Sequence, residues 1–328
     1  MFRYLDPEGD GVDREVLTRI HELVIPPAWT DVWICPYPGG HIQATGIDQR
    51  GRKQYLYHPL WRRRRDQEKF DDMVRFARSL PALRDVVEHD LAREDFSQEH
   101  VLAAATRLLD RGFFRIGSED YAVTNETYGL ATMLKRHVRV DGDVLLFDYP
   151  AKSGKRRVRA VVDPEVAEVI GRLKRRRGGG QELLAFRRRR TWTDIRSPEI
   201  NAYLKQATGI DVSAKDFRTW GATVLAAIAL AVAAPNVTTK TARRRAVTRA
   251  VQEVAFYLGN TPTVARASYI DPRIIERFED GLTIGGVLEE LGEDADETAI
   301  QGPAEEAVLD LIADDEDSER LEQVEAAA

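Results

Sequence analysis

Tyr269 lies in the run Asn260-Thr261-Pro262-Thr263-Val264-Ala265-Arg266-Ala267-Ser268-Tyr269-Ile270-Asp271-Pro272, and the chemistry open to it is nucleophilic attack through the phenolic oxygen. A phenol with a pKa of about 10 attacks poorly at neutral pH unless cations stabilise its oxyanion. Without such cations, a tyrosine at a helix boundary is a packing residue. Arg115 in Gly112-Phe113-Phe114-Arg115-Ile116-Gly117 and Arg218 in Lys215-Asp216-Phe217-Arg218-Thr219-Trp220 are each set among large apolar residues. An arginine so placed has a desolvated stem and a head that must meet an anion. That anion is either an internal carboxylate, such as Asp120 or Asp216, or a phosphate, which the planar guanidinium fork fits well. Lys152 stands in Ala151-Lys152-Ser153-Gly154-Lys155, followed by Arg156, Arg157 and Arg159. A single loop lysine usually only faces solvent, but this density of cations suits phosphate binding.

The elements that must position these residues divide the chain. To about Pro59 the pattern reads as strands and turns: Asp31–Cys35, then His41–Gly46 and Lys53–His58 around the polar turn Asp48–Arg52. Alternation predicts a small antiparallel sheet. A charged helical stretch through Trp61, Phe70, Met73 and Ala77 follows, and Ser79-Leu80-Pro81 is read as its end or as a joint between domains. Beyond it the period becomes helical over 101–109, 126–138, 165–176, 216–234, 241–258 and 272–278, interrupted by a hairpin of Val144–Tyr149 and Val158–Val162 around the lysine loop. The expected fold is a two-domain α+β protein: residues 1–78 a β-rich domain with its linker helix, 79–288 a mostly α domain holding a small sheet, and 289–328 an acidic tail. The leucines of that tail could support one or two short helices, with disorder expected after Asp314.

An apolar fraction of 43% and a charged fraction of 31% are those of a soluble globular protein. One cysteine, Cys35, excludes an intramolecular disulfide framework. No secretory signal is visible, and the apolar run around Val224–Ala234 reads as too short for a bilayer, so a cytoplasmic, nucleoid-associated protein without membrane contact is expected. The net charge of −6 conceals a division. Phe278–Ala328 holds 18 acidic residues against one basic residue, Arg320, a net of −17 that leaves Met1–Arg277 at +11. A basic body with an acidic appendage is a common plan for polyanion binding, the appendage either shielding the basic surface or aiding solubility. No Gly-rich phosphate loop and no acidic metal cluster are evident, so neither a nucleotide nor a metal cofactor is expected.

Taken together, Ile25-Pro26-Pro27-Ala28-Trp29, Gly51-Arg52-Lys53-Gln54-Tyr55-Leu56-Tyr57-His58, Phe114-Arg115-Ile116-Gly117, Asn125-Glu126-Thr127-Tyr128-Gly129-Leu130, the lysine loop and Ser268-Tyr269 resemble the type IB DNA topoisomerases, specifically the compact bacterial branch related to the poxvirus enzymes. The resemblance runs from about Val24 to Pro272. It implies a catalytic set of Arg115, Lys152, Arg218, Asn260 and Tyr269, with asparagine where related enzymes commonly carry histidine. Asparagine can donate to a phosphoryl oxygen but supplies no cationic proton. It further implies duplex DNA as partner, a monomer, and a 3′-phosphotyrosine intermediate formed without ATP or metal. The N-terminal sheet and the α domain would form a clamp on DNA, with Lys53, Gln54, Tyr55, Tyr57, His58, Tyr121 and Lys155 as contacts. The basic runs Arg62–Arg65, Arg187–Arg190 and Arg243–Arg245 could track the backbone. A tyrosine recombinase shares this active-site logic, and an architectural DNA-binding protein would need only the basic surface; the β-rich first domain weighs against the recombinase.

Overall fold

The computed structural model describes residues 4–6, 9–288, 301–315 and 317–324. The chain divides into two compact units, Met1–Asp71 and Asp72–Ala328.

The first unit opens with α1 (Arg14–Glu22), started by Asp13, whose carboxylate accepts from the Val16 amide at 2.8 Å. The strand-and-turn reading of this region missed it. Strands β1 (Thr30–Ile34), β2 (Ile42–Ile47) and β3 (Lys53–Tyr57) form an antiparallel sheet in that order, with Thr45 opposite Tyr55 and Gly46 opposite Gln54. Asp48 builds the β2–β3 turn. It accepts from the amides of Arg50 and Arg52 at 2.9 and 3.0 Å and from the Arg52 guanidinium at 2.7 Å. Hydrogen bonding from Arg52 holds its pKa down at about 2. Gln43 is buried beneath the sheet, donating to the carbonyls of Pro38 and Gly40 and accepting from Arg19.

Helix α2 (Pro59–Leu91) carries the chain across the unit boundary and passes through Pro81 without ending. This corrects the helix end expected at Ser79-Leu80-Pro81. A proline inside a helix forfeits one backbone bond and costs about 3 kcal/mol, but Phe76, Leu80, Leu83 and Val87 are all buried around it. Ser79 also donates its hydroxyl to the Phe76 carbonyl at 2.7 Å. Packing outweighs the local rule.

The second unit continues with α3 (Gln98–Gly112), α4 (Glu119–Asn125), β4 (Val138–Asp141), β5 (Val144–Pro150), β6 (Arg156–Val162), α5 (Pro164–Arg175), β7 (Ala185–Arg188), β8 (Thr191–Asp194), α6 (Ser197–Thr208), α7 (Ala214–Ala233), α8 (Lys240–Leu258), α9 (Pro262–Ser268), α10 (Pro272–Asp280), β9 (Leu282–Thr283), α11 (Pro303–Ala313) and β10 (Glu322–Gln323). β4-β5-β6 form one antiparallel sheet, with β7–β8 and β9–β10 as separate pairs. The core helix is α7, which packs against α3, α8, α10 and α11. It is longer than the apolar run in the sequence suggested: Ala214–Asn236 is long and apolar enough to cross a membrane by length and composition, but 67% of its most apolar window is buried within the fold.

The helix expected over 126–138 is absent. Gly129 is extended, and a Cβ there would lie 2.4 Å from the Gly117 nitrogen. This approach lets the amides of Leu130 and Ala131 donate to the carbonyls of Arg115 and Ile116 at 2.8 and 2.7 Å. Two short 3-10 turns, Leu130–Thr132 and Lys135–His137, lead into β4. In the C-terminal region one short helix forms, as the leucines suggested, but the disorder expected after Asp314 gives way to a strand. α11 is buried through Ala304, Ala307, Val308 and Leu311, and Glu322–Gln323 pair with Leu282–Thr283 well past Asp314.

Candidate active site

Arg115 occupies the extended segment after α3, which terminates where Phe113 turns left-handed at φ +53. Phe114 points inward, meeting Phe147 edge-on at 4.8 Å, so that Arg115 faces the opposite side. Its Nη2 donates to the Gly259 carbonyl at 3.2 Å and to Oδ1 of Asn260. Arg218 sits in the second turn of α7 and is buried, 3% exposed. It donates through Nη1 to the Phe113 carbonyl and through Nη2 to the Leu258 carbonyl at 3.0 Å. The carboxylates first considered as its partners are committed elsewhere or undescribed. Asp216 caps α7 by accepting from Ser213 at 2.8 Å, and the Asp120 side chain lies outside the described residues.

Tyr269 follows α9, and its ring centroid is 5.3 Å from the Arg218 guanidinium and 6.0 Å from the Lys215 amine. Its carbonyl and the Asp271 amide both lie 3.2 Å from the Thr223 hydroxyl, which fixes the tyrosine backbone to the same helix that carries Arg218. Fully buried Asp271 caps α10 and pairs with Arg273 at 2.7 Å. Burial opposes ionisation of the Tyr269 phenol, but the charge of Arg218, helped by Lys215 and Arg115, outweighs it and holds the phenol below its ordinary value. Burial pulls the Arg218 guanidinium down in turn, and repulsion from Arg115 adds to this. Tyr149 lies in the field of the same arginines, yet there burial prevails and the phenol is raised.

Asn260 presents Oδ1 to Arg115, while its Nδ2 is buried without a hydrogen-bond partner. Among the described residues, no carboxylate pairs with Arg115, Arg218 or Lys215. Two guanidiniums thus lie in the field of one phenol, one of them bonded to an amide whose donor is unpartnered, and neither guanidinium is committed to a protein carboxylate among the described residues. Such a set matches the nonbridging oxygens of a phosphodiester under attack.

Four of the five expected catalytic positions thus come together. Lys152 does not join them by any hydrogen bond or ion pair. It is exposed on the turn Lys152–Gly154 at the tip of the β5–β6 hairpin, beside exposed Lys155. The sequence reading did not assign Lys215, three residues before Arg218 on α7, or Thr223. The helical spacing of Lys215 from Arg218 was the available signal.

In the first unit, Lys53 is exposed with its amine 5.9 Å from the Tyr55 ring, and Tyr55 stacks on Tyr57 at 6.1 Å and Tyr57 on Trp61 at 4.4 Å. Gln54 donates to Asp48 at 2.9 Å, and the His58 ring nitrogen accepts from the Leu60 amide at 3.1 Å. The Tyr121 side chain lies outside the described residues. Of the basic runs, Arg62–Arg65 and Arg187–Arg190 are exposed. Arg243 is not available to DNA: it is buried and donates to the carbonyls of Phe278 and Glu279, capping α10.

A family model described as the catalytic core of eukaryotic DNA topoisomerase I matches residues 58–284, and one described as the N-terminal domain of bacterial DNA topoisomerase IB matches residues 1–48. DNA topoisomerase 1B of Acanthamoeba polyphaga mimivirus is 26% identical over 294 residues, which covers 85% of this chain and 84% of the relative. DNA topoisomerase I of Monkeypox virus and DNA topoisomerase 1B of Vaccinia virus (strain Copenhagen) are each 20% identical over 281 residues, covering 84% of this chain and 86% of theirs. The chain belongs to the type IB DNA topoisomerases. Within them it falls in the compact branch shared by bacteria and viruses, an isomerase that relaxes DNA by cleaving and rejoining it.

Proposed function

We infer that Tyr269 is the residue that cuts. Its phenolate oxygen attacks a backbone phosphorus in line, the bond from phosphorus to the 5′ oxygen breaks, and a 3′-phosphotyrosine remains. The phenol proton passes to solvent, and Lys152 gives a proton to the departing 5′ oxygen and takes it back on religation. Arg115 and Arg218 hold the nonbridging oxygens, where charge develops, and Asn260 adds its Nδ2 donor. Arginine suits the clamp because it stays charged, and lysine suits proton transfer because its pKa responds to surroundings. One phosphodiester is exchanged for another of similar energy, so rejoining the strand requires neither ATP nor metal. While the 5′ end is free, superhelical strain drives rotation about the intact strand. One tyrosine cuts one strand, so a monomer suffices.

The observation that carries this reading is the Arg218 guanidinium against the Tyr269 ring, where with Arg115 it favours the phenolate, while Arg115 also holds Asn260, whose Nδ2 is left buried without a partner. The test is relaxation of supercoiled plasmid in EDTA without ATP, together with trapping of the adduct on end-labelled duplex. Wild type should relax the plasmid and retain a label placed at the 5′ end of the cut strand, and Tyr269→Phe should do neither. An adduct formed by the Phe variant, or retention of a 3′-end label instead, overturns the assignment.

A further inference from the structure

The last turn of α8 is the negative end of a helix, and its carbonyls lack helical partners. Arginines bond four successive carbonyls here, those of the last three helical residues and that of the cap residue Gly259. Arg157 takes the carbonyls of Phe256 and Tyr257 at 3.1 and 2.5 Å. Arg218 takes that of Leu258 at 3.0 Å, and Arg115 that of Gly259 at 3.2 Å. The mechanism above employs Arg115 and Arg218 but gives Arg157 no task.

Its location supplies one. Arg157 is the second residue of β6, paired with Tyr149 on β5 at the base of the loop that carries Lys152. Above this base the loop is closed by backbone bonds between Ala151 and Lys155 at 2.8 Å and between Gly154 and Ala151 at 2.9 Å. Below it, the guanidinium is seated so closely on the α8 end that a Cβ at Gly259 would come within 2.7 Å of its Cζ. Gly259 also holds φ at +62, leading directly into Asn260. Two residues along the same strand face, Arg159 lies 5.6 Å from the Tyr257 ring. One strand thus grips the helix end that presents Asn260, while its neighbouring loop bears the lysine.

The geometry points to Arg157 as a positioning residue: it ties the lysine hairpin to the phosphate clamp and so sets where Lys152 meets the leaving oxygen. This rests on the proton-donor role given to Lys152 above. The fork of an arginine spans two consecutive carbonyls, whereas a lysine keeps the charge at the helix end but loses the two-point hold.

The test compares single-turnover cleavage of two duplexes, one with an ordinary scissile phosphodiester and one whose bridging 5′ oxygen is sulfur. A thiolate leaves without taking a proton, so the sulfur substrate bypasses the acid. Arg157→Ala should cleave the ordinary duplex about a hundredfold more slowly, the scale expected when a reacting group is displaced by an ångström. It should cleave the sulfur duplex at the wild-type rate, with DNA affinity unchanged. Arg157→Lys should lie between on the ordinary duplex and match wild type on sulfur, which keeps the test intact where the alanine variant fails to fold. Lys152→Ala is the reference. If sulfur restores Lys152→Ala but neither Arg157 variant, or if both Arg157 variants cleave the ordinary duplex normally, the positioning role is overturned while the acid stands. If sulfur does not restore Lys152→Ala, the acid assignment falls and this inference with it.

Discussion

Two tyrosines lie in the field of Arg115 and Arg218, and their contrast shows how position decides ionisation. Tyr149 is 5% exposed and its phenol is raised by burial, whereas at Tyr269 the adjacent Arg218 overcomes burial and the phenol is lowered. Arg218→Ala should therefore raise the Tyr269 pKa, read as the tyrosinate absorbance difference between each protein and its Tyr269→Phe counterpart. It should also slow cleavage about 100- to 1000-fold, as loss of one donor to a developing oxyanion does. Asn260→Asp is a sharper test of orientation. A carboxylate would still accept from Arg115, but it would place negative charge where the Nδ2 donor now stands. Cleavage in single turnover should fall at least about a hundredfold, and retention of normal rate would show that the amide donates nothing. The arginines stood out by their apolar setting and Lys152 by its basic loop, but the set as a whole came from the family pattern. The part of Asn260 required the family pattern, because an asparagine in a loop carries no signal of its own. Thr223 was illegible, since its hydroxyl matters only once α7 and the tyrosine segment meet.

At the level of elements, the sequence reading succeeded where periodicity ran long and failed where tertiary contact overrode it. The β5–β6 hairpin and helices α3, α5, α7, α8 and α10 were placed to within a few residues. Residues 126–138 have helical spacing but not helical structure, because backbone pairing with the Arg115 segment claims them. Helix α2 runs through Pro81 because four buried side chains hold it, a fact no local rule contains. The short pair β7–β8 escaped notice because its tip is an arginine run that resembles a solvated loop. The Gly117–Gly129 approach yields an element-level prediction. Gly129→Ala would put a methyl 2.4 Å from the Gly117 nitrogen and 2.6 Å from the Arg115 carbonyl. It should destabilise the protein by on the order of 1–3 kcal/mol, measured by urea unfolding, and should reduce cleavage more than DNA binding because Arg115 is displaced.

For the molecule as a whole, acidity in the C-terminal region serves the fold. Glu305 accepts from the Trp220 indole at 2.7 Å and pairs with Arg84, which also holds Asp110. Arg320 pairs with Glu306 and Asp310. These carboxylates are engaged within the second unit, which composition alone could not reveal. Glu305→Ala should lower unfolding stability by about 1–3 kcal/mol, the cost of stranding buried donors, and should alter Trp fluorescence. Stability should also fall in mild acid. His100 and His137 are both buried, and burial holds both below the usual imidazole value. The unfolded chain therefore binds more protons below a pH of about 6.5, so stability is complete above that value and declines beneath it, by at most about 1.4 kcal/mol per pH unit for each histidine. Both ring nitrogens of His100 lack partners. His100→Leu should accordingly flatten the dependence between about pH 6.5 and 5, as read by thermal midpoints.

Because α11 delivers Glu305 to Trp220, two residues from Arg218, and β10 closes on β9, the catalytic unit is finished by segments translated after the tyrosine. A message cut between codons 285 and 300 would yield a polypeptide bearing every proposed catalytic residue but none of this closure. Such a product should emerge with the α11 face of its central helix uncovered, and should be degraded by protease faster than the full chain.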